Sequence, residues 1–302
     1  MIIVSGASGA FGRAAAGQLI EQMPADQLIL TTRTPAKLAD FAARGAQVRH
    51  ADFDDPETLR GAFAGGTKML LISTARVGSR VEQHRHAIEG AVAAGVRHIV
   101  YTSIVGAAAP GNPALVKRDH RATEELIEQS GAAWTFLRDS QYSEAIAGAM
   151  VPGALANGYI PDNSHDGPIA FVSRDDCVAC AAGVLLQDGH ENRAYDLTGP
   201  ELMTVPGALA LASEIAGKPI IVEPVDEEGM FAHFDRLGIP RHASDDVPDG
   251  PIPWSSDDMV TFGQAIREGY FNTLTDHVAR ITGHRPKSLR EVMMAYRDSW
   301  PA

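Results

Sequence analysis

Hydrophobic positions in the first half of the chain fall into short apolar runs separated by stretches with helical spacing. The runs have the length of strands and are bounded by turn residues or charges. The predicted strands are 2–4, 28–32, 47–50, 68–73, 98–102 and 133–137. The predicted helices between them are 10–22, 56–63, 80–94 and 115–130. This alternation predicts an α/β fold with a doubly wound (Rossmann) parallel sheet.

The pattern loosens after about residue 140, where turn residues become frequent. The predicted turns are 151–153, 157–158, 161–163 and 166–168, and the predicted irregular loop is 241–254. The predicted strands here are 194–200 and 220–223, and the predicted helices are 204–216, 257–268, 274–282 and 288–296. We expect a Rossmann domain over 1–140 and a smaller, mixed lobe over 141–302 with return segments to the Rossmann sheet. This lobe would bind the substrate, with specificity in 142–160 and 231–254.

The first predicted strand runs directly into a glycine-rich turn, S-G-A-S-G-A-F-G at 5–12. Gly6 would let the chain turn sharply, Gly9 would let a pyrophosphate approach the backbone, and Gly12 would let the next helix pack closely. The amino terminus of that helix would direct free N–H groups at the phosphates. The predicted cofactor contacts in this turn are Gly6, Ala7, Ser8, Gly9, Ala10, Phe11 and Gly12.

The end of the second predicted strand indicates which dinucleotide binds. It is followed by Arg33 and Lys37, with no acidic residue before Asp40. An acid at this point accepts hydrogen bonds from the ribose 2′-hydroxyl of NAD, whereas an arginine accommodates a 2′-phosphate. Arg33 offers a planar fork of donors and Lys37 a second positive charge. The sequence therefore predicts NADPH as the cofactor and residues 1–140 as an NADP(H)-binding domain.

Polar residues follow several of the other predicted strands. In sheets of this kind the ligand lies beyond the carboxyl ends of the strands. Asp52 and Phe53 are predicted to flank the adenine, and Ser73 and Thr74 to lie near the nicotinamide. Thr102 and Ser103 end the fifth predicted strand and are also predicted cofactor contacts.

The charge balance argues against two classes of partner. The chain has 302 residues, and 26 basic against 38 acidic residues give a net charge of −12. We therefore expect neither nucleic acid nor an anionic membrane as the main partner. No apolar run approaches the roughly 20 residues of a membrane span, and the first strand begins too early for a signal peptide. We expect a cytoplasmic protein, with a homodimer among the assemblies left open.

The two cysteines, Cys177 and Cys180, form a C-x-x-C pair within a predicted helix that starts at Ser173. Their spacing puts both on one face of the helix, and there is no second pair to complete a zinc site. We interpret them as small buried residues, and we predict no metal site.

Several of these segments together resemble a known family. The segments are V-S-G-A-S-G-A-F-G, T-R-T-P-A-K, H-A-D-F-D-D-P-E-T-L, L-L-I-S-T-A-R-V-G-S-R, H-I-V-Y-T-S and T-F-L-R-D-S-Q-Y-S-E. They are similar to the NmrA-like atypical short-chain dehydrogenase/reductases, and within these to the type 2 NADPH quinone reductases and triphenylmethane reductases. The resemblance implies a cofactor held also by Arg80 and Tyr142, and a substrate cleft between the two lobes.

One feature of ordinary carbonyl reductases is missing. In those enzymes a Tyr-x-x-x-Lys pair trades a proton with the substrate, because the lysine lowers the pKa of the tyrosine. None of the six tyrosines has a lysine four residues further on. The sequence therefore favours an acceptor that needs little help from a proton, such as a quinone, a cationic dye or a quinone methide.

Three residues are candidates for a proton donor: Lys117, His120 and Tyr142. The resemblance extends to lignan and isoflavone reductases, which carry a catalytic lysine near this R-A-x-E segment, although the register of Lys117 differs by about one residue. The quinone and dye reductases carry a histidine where His120 stands. Each residue also has a structural interpretation, as a helix-face residue or, for Tyr142, as part of a half-buried wall.

Three functions remain open at this point. The first is an NADPH-dependent reductase of quinones or similar aromatic electrophiles, with a small aromatic substrate. The second is a reductase of lignan-like benzylic ethers that acts through a quinone methide. The third is a non-catalytic, NADP-binding redox sensor like NmrA. A sensor of this kind that binds NAD and NADP alike is disfavoured by the two bases Arg33 and Lys37.

Overall fold

The computed structural model describes residues 1–78, 80–242 and 255–301. Its strands are β1 (Ile2–Val4), β2 (Leu28–Thr32), β3 (Gln47–His50), β4 (Lys68–Leu71), β5 (His98–Ile104), β6 (Ala133–Asp139), β7 (Tyr159–Asp162), β8 (Pro168–Ile169), β9 (Arg193–Leu197), β10 (Met203–Thr204) and β11 (Ile221–Pro224). Its helices are α1 (Ala10–Ile20), α2 (Ala39–Ala43), α3 (Leu59–Phe63), α4 (Arg80–Ala93), α5 (Leu115–Gln129), α6 (Ser143–Ala145), α7 (Val151–Asn157), α8 (Arg174–Leu186), α9 (Val205–Ala216), α10 (Glu227–Arg236), α11 (Ser256–Arg267), α12 (His277–Thr282) and α13 (Leu289–Tyr296).

Seven strands form one parallel sheet in the order β3-β2-β1-β4-β5-β6-β9. The chain moves outward from β1 to β3, then returns to the other side of β1 with β4. This reversal between β1 and β4 is the switch point at which doubly wound sheets bind ligands. The predicted α/β fold with a doubly wound sheet is confirmed.

Alternating residues of the strands build the two faces of the sheet. Val4, Leu30 and Val100 pack with α1 and α8 on one face. Ile3 and Tyr101 pack with α3, α4 and the buried side of α5 on the other face. The inner strands are therefore buried on both sides, as the short continuous apolar runs predicted, whereas the edge strands β3 and β9 are partly exposed.

The carboxyl-terminal half contributes to two places in the fold. β9 joins the seven-stranded sheet beside β6, and α8 packs against α1. α12 also packs against α8 in the first core, and α10 forms a small cluster with Val260 of α11. Helices α7, α9 and α13, with part of α11, form a second hydrophobic core with the parallel pair β7–β11 and the antiparallel pair β8–β10 beside it. This second core includes Val105 and Ala114, which lie just after β5 and just before α5. The smaller lobe is thus packed against the carboxyl end of β5.

Two predictions about this half are wrong. The predicted turn at 151–153 is the start of α7, and residues 143–157 are helical throughout, with a π-helical turn at Ile146–Met150. Pro152 is the second residue of α7 and comes directly after the π-helical turn. The segment 231–254, predicted as a specificity loop, is partly helical, since α10 runs to Arg236 and is capped by Asp226. Residues 243–254 of that loop lie outside the described residues.

The cysteines lie on α8 within the first core. Cys177 and Cys180 are both free and buried, and burial raises the pKa of each thiol. The predicted burial is confirmed. Within the described ranges, no helix has the length and apolar character that crossing a membrane requires.

Candidate cofactor and substrate site

The glycine turn has the close contacts that the sequence predicted. Gly6 has a positive φ of 59°, and its carbonyl accepts the N–H of Gly9 at 3.0 Å. A Cβ on Gly12 would lie 2.5 Å from the Gly6 carbonyl oxygen and 2.8 Å from Cα of Ala7. A side chain at position 12 would therefore push α1 away from β1.

The amino terminus of α1 is open. Its N-cap residue Gly9 provides no side-chain cap, and the first turn contains no acidic side chain. Gly9 and Ala10 are exposed, whereas Phe11 is buried beneath them. Free backbone N–H groups and the positive end of the helix dipole favour an anion such as a pyrophosphate at this point. The turn therefore fits the phosphates of a dinucleotide.

Two bases lie next to this turn. Arg33 and Lys37 are exposed, and neither side chain has a hydrogen-bond or ion-pair partner in the part of the chain that the structure describes. Asp40, the first acid after β2, is instead paired with Arg13 of α1. Ser8 bonds to Thr32 at 2.7 Å, which links the glycine turn to the end of β2. The two cations are thus free to receive an anionic group beside the turn.

Asp52 and Phe53 follow β3, as predicted. The Asp52 carboxylate accepts the N–H of Asp54 at 3.1 Å, so it is engaged in its own turn. The Phe53 ring is half-buried, and its carbonyl oxygen lies 2.8 Å from Nδ1 of His86. Their contact with an adenine stays a prediction.

The end of β4 is held through its backbone. The N–H of Ser73 donates to the Thr102 hydroxyl at 2.9 Å, so these two predicted residues meet. The N–H of Thr74 donates to Nε2 of His84 at 3.1 Å. Burial next to Arg80 lowers the pKa of His84 to about 3, so its imidazole is neutral. The sequence analysis missed His84, whose place on the inner face of α4 was the available signal.

Arg80 differs from what the sequence suggested. It is buried, its Nε lies 3.2 Å from Asp119 Oδ2, and it donates to the Thr74 carbonyl at 2.9 Å. The same carboxylate oxygen accepts the N–H of Gly78 at 2.6 Å. Arg80 therefore ties the segment after β4 to α5. Contact between Arg80 and a cofactor stays a prediction. The guanidinium gives it no support, because it already contacts Asp119 and the Thr74 carbonyl.

Ser103 also has an unexpected partner. Its hydroxyl donates to Glu124 at 2.7 Å, on the α5 side of the sheet. Glu124 is fully buried and receives two hydrogen bonds from Arg138, both at 2.9 Å. The Ser103 hydroxyl thus donates to a carboxylate that is itself part of a buried ion pair. Contact between Ser103 and the cofactor stays a prediction, and this hydrogen bond gives it no support.

Tyr142 donates its hydroxyl to Asp139 at 2.6 Å. Burial raises the pKa of Asp139 to about 7 and raises that of Tyr142 well above its ordinary value. The Arg174 guanidinium lies over the Tyr142 ring, 5.7 Å from its centroid. The hydroxyl and the ring of this tyrosine are thus both engaged by neighbouring side chains, and its contact with the cofactor or the substrate stays a prediction.

Lys117 and His120 lie on the first turns of α5. Lys117 is half-buried, and its ammonium has no partner among the described residues. His120 is buried, and its Nδ1 lies 3.0 Å from the hydroxyl of Tyr101. The helix begins without a local cap; instead, the Thr261 hydroxyl of α11 accepts the Leu115 N–H at 3.0 Å. The smaller lobe thus fixes the start of the helix that carries both candidates.

The described residues contain no cluster of three or more histidine, cysteine, aspartate or glutamate side chains that could hold a metal ion. The polar groups gathered at the carboxyl edge are instead a glycine turn, an open helix terminus and two unpaired bases. Together with the sheet they define a dinucleotide-binding α/β protein.

Comparison with known proteins identifies the family. An NAD(P)H-binding family matches residues 6–185, and the chain belongs to it. Quinone oxidoreductase 2 of Escherichia coli is 35% identical over 88% of this chain and 93% of that protein. The chain is an oxidoreductase that uses NAD(P)H, so the cofactor class and the enzyme class predicted from the sequence are confirmed.

Solved structures agree with this assignment. The E. coli quinone oxidoreductase complexed with NADPH has a TM-score of 0.88 at 32% identity, covering 98% of this chain and 99% of that chain. The Citrobacter triphenylmethane reductase complexed with NADP(H) has a TM-score of 0.86 at 29% identity, covering 98% and 100%. The resemblance to these reductases is confirmed.

Proposed function

We propose that this chain is an NADPH-dependent reductase that transfers a hydride to a quinone or a similar aromatic electrophile. The observation that carries the proposal is the likeness to quinone oxidoreductase 2 along nearly the whole length of both proteins. The missing Tyr-x-x-x-Lys pair supports the same substrate class. Hydride addition to a quinone gives a stabilised phenolate, so the reaction depends less on a strong acid than carbonyl reduction does.

The choice of NADPH over NADH rests on Arg33 and Lys37. Both are exposed cations without a partner in the described ranges, beside a turn that suits a pyrophosphate. The 2′-phosphate of NADPH carries the anionic charge that a planar guanidinium binds with paired hydrogen bonds. Asp40, which could have repelled that phosphate, is neutralised by Arg13.

The residues that would hold the cofactor follow from the same positions. The glycine turn and the start of α1 would bind the pyrophosphate, and the backbone of Ser73 and Thr74 would line the nicotinamide end. The cofactor, when bound, supplies the hydride. The chain orients the substrate, excludes water and stabilises the charge that develops on the substrate oxygen.

His120 is the candidate best suited to meet that oxygen. The Tyr142 hydroxyl already donates to Asp139, and burial raises its pKa well above the ordinary value, which makes it a weaker acid. His120 has one ring nitrogen engaged by Tyr101, and its Nε2 has no partner among the described residues. Lys117, three residues earlier, is the donor that the lignan reaction would require.

The test is NADPH oxidation, followed by absorbance with NADH in parallel, against a quinone, a triphenylmethane dye, a lignan and a plain ketone. We expect turnover with the quinone or dye, and little with the ketone. Turnover with the lignan alone would overturn the proposal in favour of benzylic-ether reduction. NADPH binding without any turnover would overturn it in favour of a redox sensor.

Variants of α5 sharpen this test. His120→Gln should lower quinone turnover, whereas Lys117→Gln should leave most of it. Arg118→Gln is the matched control, because Arg118 is exposed and lies between the two candidates. A loss confined to Lys117→Gln would reassign the donor to the lysine.

A further inference from the structure

Tyr101 is a buried phenol next to the candidate donor. It lies in β5 with no exposed surface, and its hydroxyl oxygen is 3.0 Å from Nδ1 of His120. The two rings are tilted by 44°, with centroids 5.8 Å apart. The cofactor and substrate predictions made no use of this tyrosine.

The direction of this hydrogen bond follows from the neighbouring groups. Nε2 of His84 accepts the Thr74 N–H, so the proton of this neutral ring is on Nδ1, which donates to Thr123 at 2.8 Å. The Thr123 hydroxyl donates in turn to the Asp119 carbonyl at 2.8 Å. The Tyr101 hydroxyl lies 3.0 Å from Nδ1 of His120, and we infer that the phenol is the donor, since the Thr123 hydroxyl already accepts from His84 and donates to Asp119. A buried hydroxyl without an acceptor would cost about 1–3 kcal/mol.

The hydrogen bond fixes the tautomer of His120. Burial holds the pKa of His120 well below its ordinary value, so the imidazole is neutral and carries one proton. With Nδ1 accepting from Tyr101, that proton is on Nε2. Nε2 has no partner among the described residues and is not one of the enclosed unpaired atoms. With this tautomer, Nε2 is an N–H donor that no described residue engages.

We propose that Tyr101 is a positioning residue that holds His120 as its Nε2–H tautomer, so that this N–H donates to the substrate oxygen that gains negative charge. This inference rests on the proposed quinone reduction. The hydride supplies two electrons and one hydrogen, and the oxygen becomes a phenolate that later takes a proton from water. His120 stays neutral throughout and contributes a hydrogen bond.

A neutral donor suits this position better than a charged one. His120 is buried in the same region as Arg80 and His84, and the positive charge of Arg80 opposes a second cation there. A preorganised donor aimed at a developing oxyanion typically contributes about 10²- to 10³-fold in rate. Loss of the tautomer preference alone would remove part of that contribution.

The first measurement is the tautomer of His120 in the intact protein with NADP⁺ bound, read from ¹⁵N chemical shifts of labelled histidine and assigned with His120→Gln. We expect a protonated Nε2 and an unprotonated Nδ1. A proton on Nδ1 in the wild-type protein would overturn the inference without any variant. This readout does not depend on turnover, so it separates failure of this inference from failure of the proposed function.

The second measurement uses Tyr101→Phe, which removes the hydroxyl and keeps the ring. We expect a mixture of His120 tautomers, a fall in kcat for a quinone of about tenfold, and an unchanged Kd for NADPH. In a His120→Gln background the same change should have little further effect on kcat. A changed tautomer with an unchanged kcat would overturn the role in the reaction.

Tyr195→Phe is the matched control. Tyr195 and His190 form a second tyrosine–histidine pair in the described residues, with the hydroxyl 2.9 Å from Nδ1, but Tyr195 lies on β9 in the core on the other face of the sheet from Tyr101 and α5. Removing that hydroxyl should leave both the His120 tautomer and kcat unchanged. If Tyr101→Phe behaves like Tyr195→Phe in both readouts, the inference is wrong.

Discussion

A Cβ atom on Gly12 would lie 2.5 Å from the carbonyl oxygen of Gly6. The two residues face each other across the turn between β1 and α1, where backbone atoms on both sides leave no room to adjust. Gly12→Ala should therefore displace α1, weaken NADPH binding by at least about tenfold and lower the free energy of unfolding by about 1–3 kcal/mol. Titration with NADPH and urea unfolding would measure the two effects.

Gly17→Ala is the control for that variant. Gly17 is on the same helix, and a Cβ there would meet nothing within 4 Å. Alanine is the better helix former by roughly 1 kcal/mol, so this change should leave binding intact and keep or raise stability. Equal binding by the two variants would contradict the close contact at Gly12.

Replacing Arg33 should affect the two nicotinamide cofactors differently. Arg33→Asp removes a free cation and adds an anion beside the glycine turn. A hydrogen bond to a charged group contributes about 1.5–3 kcal/mol, so we expect the Kd for NADPH to rise about 10- to 100-fold. The Kd for NADH should change much less. Isothermal titration with both cofactors measures the ratio.

Arg44→Asp is the control for Arg33→Asp, because it changes the total charge of the protein by the same amount. Arg44 is exposed and paired with Glu21. It follows α2 in the chain, whereas Arg33 precedes it. It should leave the preference between the two cofactors unchanged. An equal loss of NADPH and NADH binding in Arg33→Asp would show that Arg33 does not recognise the 2′-phosphate.

Asp139 should make stability depend on pH. Its pKa in the folded protein is about 7, raised mainly by burial, against roughly 3.9 in the unfolded chain. Between these values the folded protein holds a proton that the unfolded chain lacks. The contribution of this group to the free energy of unfolding is therefore complete below about pH 4 and falls as the pH rises through about 7.

Asp139→Asn should remove this dependence. Relative to wild type, the variant should gain on the order of a few kcal/mol between about pH 4 and pH 8, measured by urea unfolding at each pH. Asp188→Asn, at an exposed carboxylate, is the control and should show no such gain. Parallel curves for wild type and Asp139→Asn would contradict the raised pKa.

Glu124 should be important for stability through Arg138. The carboxylate is fully buried, and losing its charge leaves the guanidinium without a counter-ion. Glu124→Gln should therefore lower the free energy of unfolding by about 3 kcal/mol. Glu125→Gln, next in the chain but exposed and paired with Arg121, should cost less than about 1 kcal/mol. Similar losses in urea unfolding would show that burial of the pair is unimportant.

The inner strands of the central sheet could be predicted from the sequence because each is a short apolar run bounded by turn residues or charges. The glycine turn and Arg33 were predictable for the same reason, since backbone geometry and charge at fixed spacing define them. The segment 143–157 was not, because Pro152 and Gly153 are common both in turns and in the first turn of a helix. Only packing of Ile146 and Val151 in the second core decides between the two.

The partners of polar residues were the least predictable part of the site. Ser103 and Thr102 are neighbours on one strand, yet they point to opposite faces, and Ser103 meets Glu124 on α5. Arg80 was expected to contact the cofactor but is paired with Asp119. Such pairs join residues far apart in the chain, and no local spacing encodes them.

The hydrogen bond from the Leu115 N–H to Thr261 spans 146 positions of the chain. During synthesis the glycine turn, β2 and α1 leave the ribosome long before α11 does. A nascent chain would thus contain the dinucleotide-binding turn while the first turn of α5, with Lys117 and His120, still lacks its cap. The amide N–H at the start of α5 would find its partner only after the last third of the polypeptide has been made.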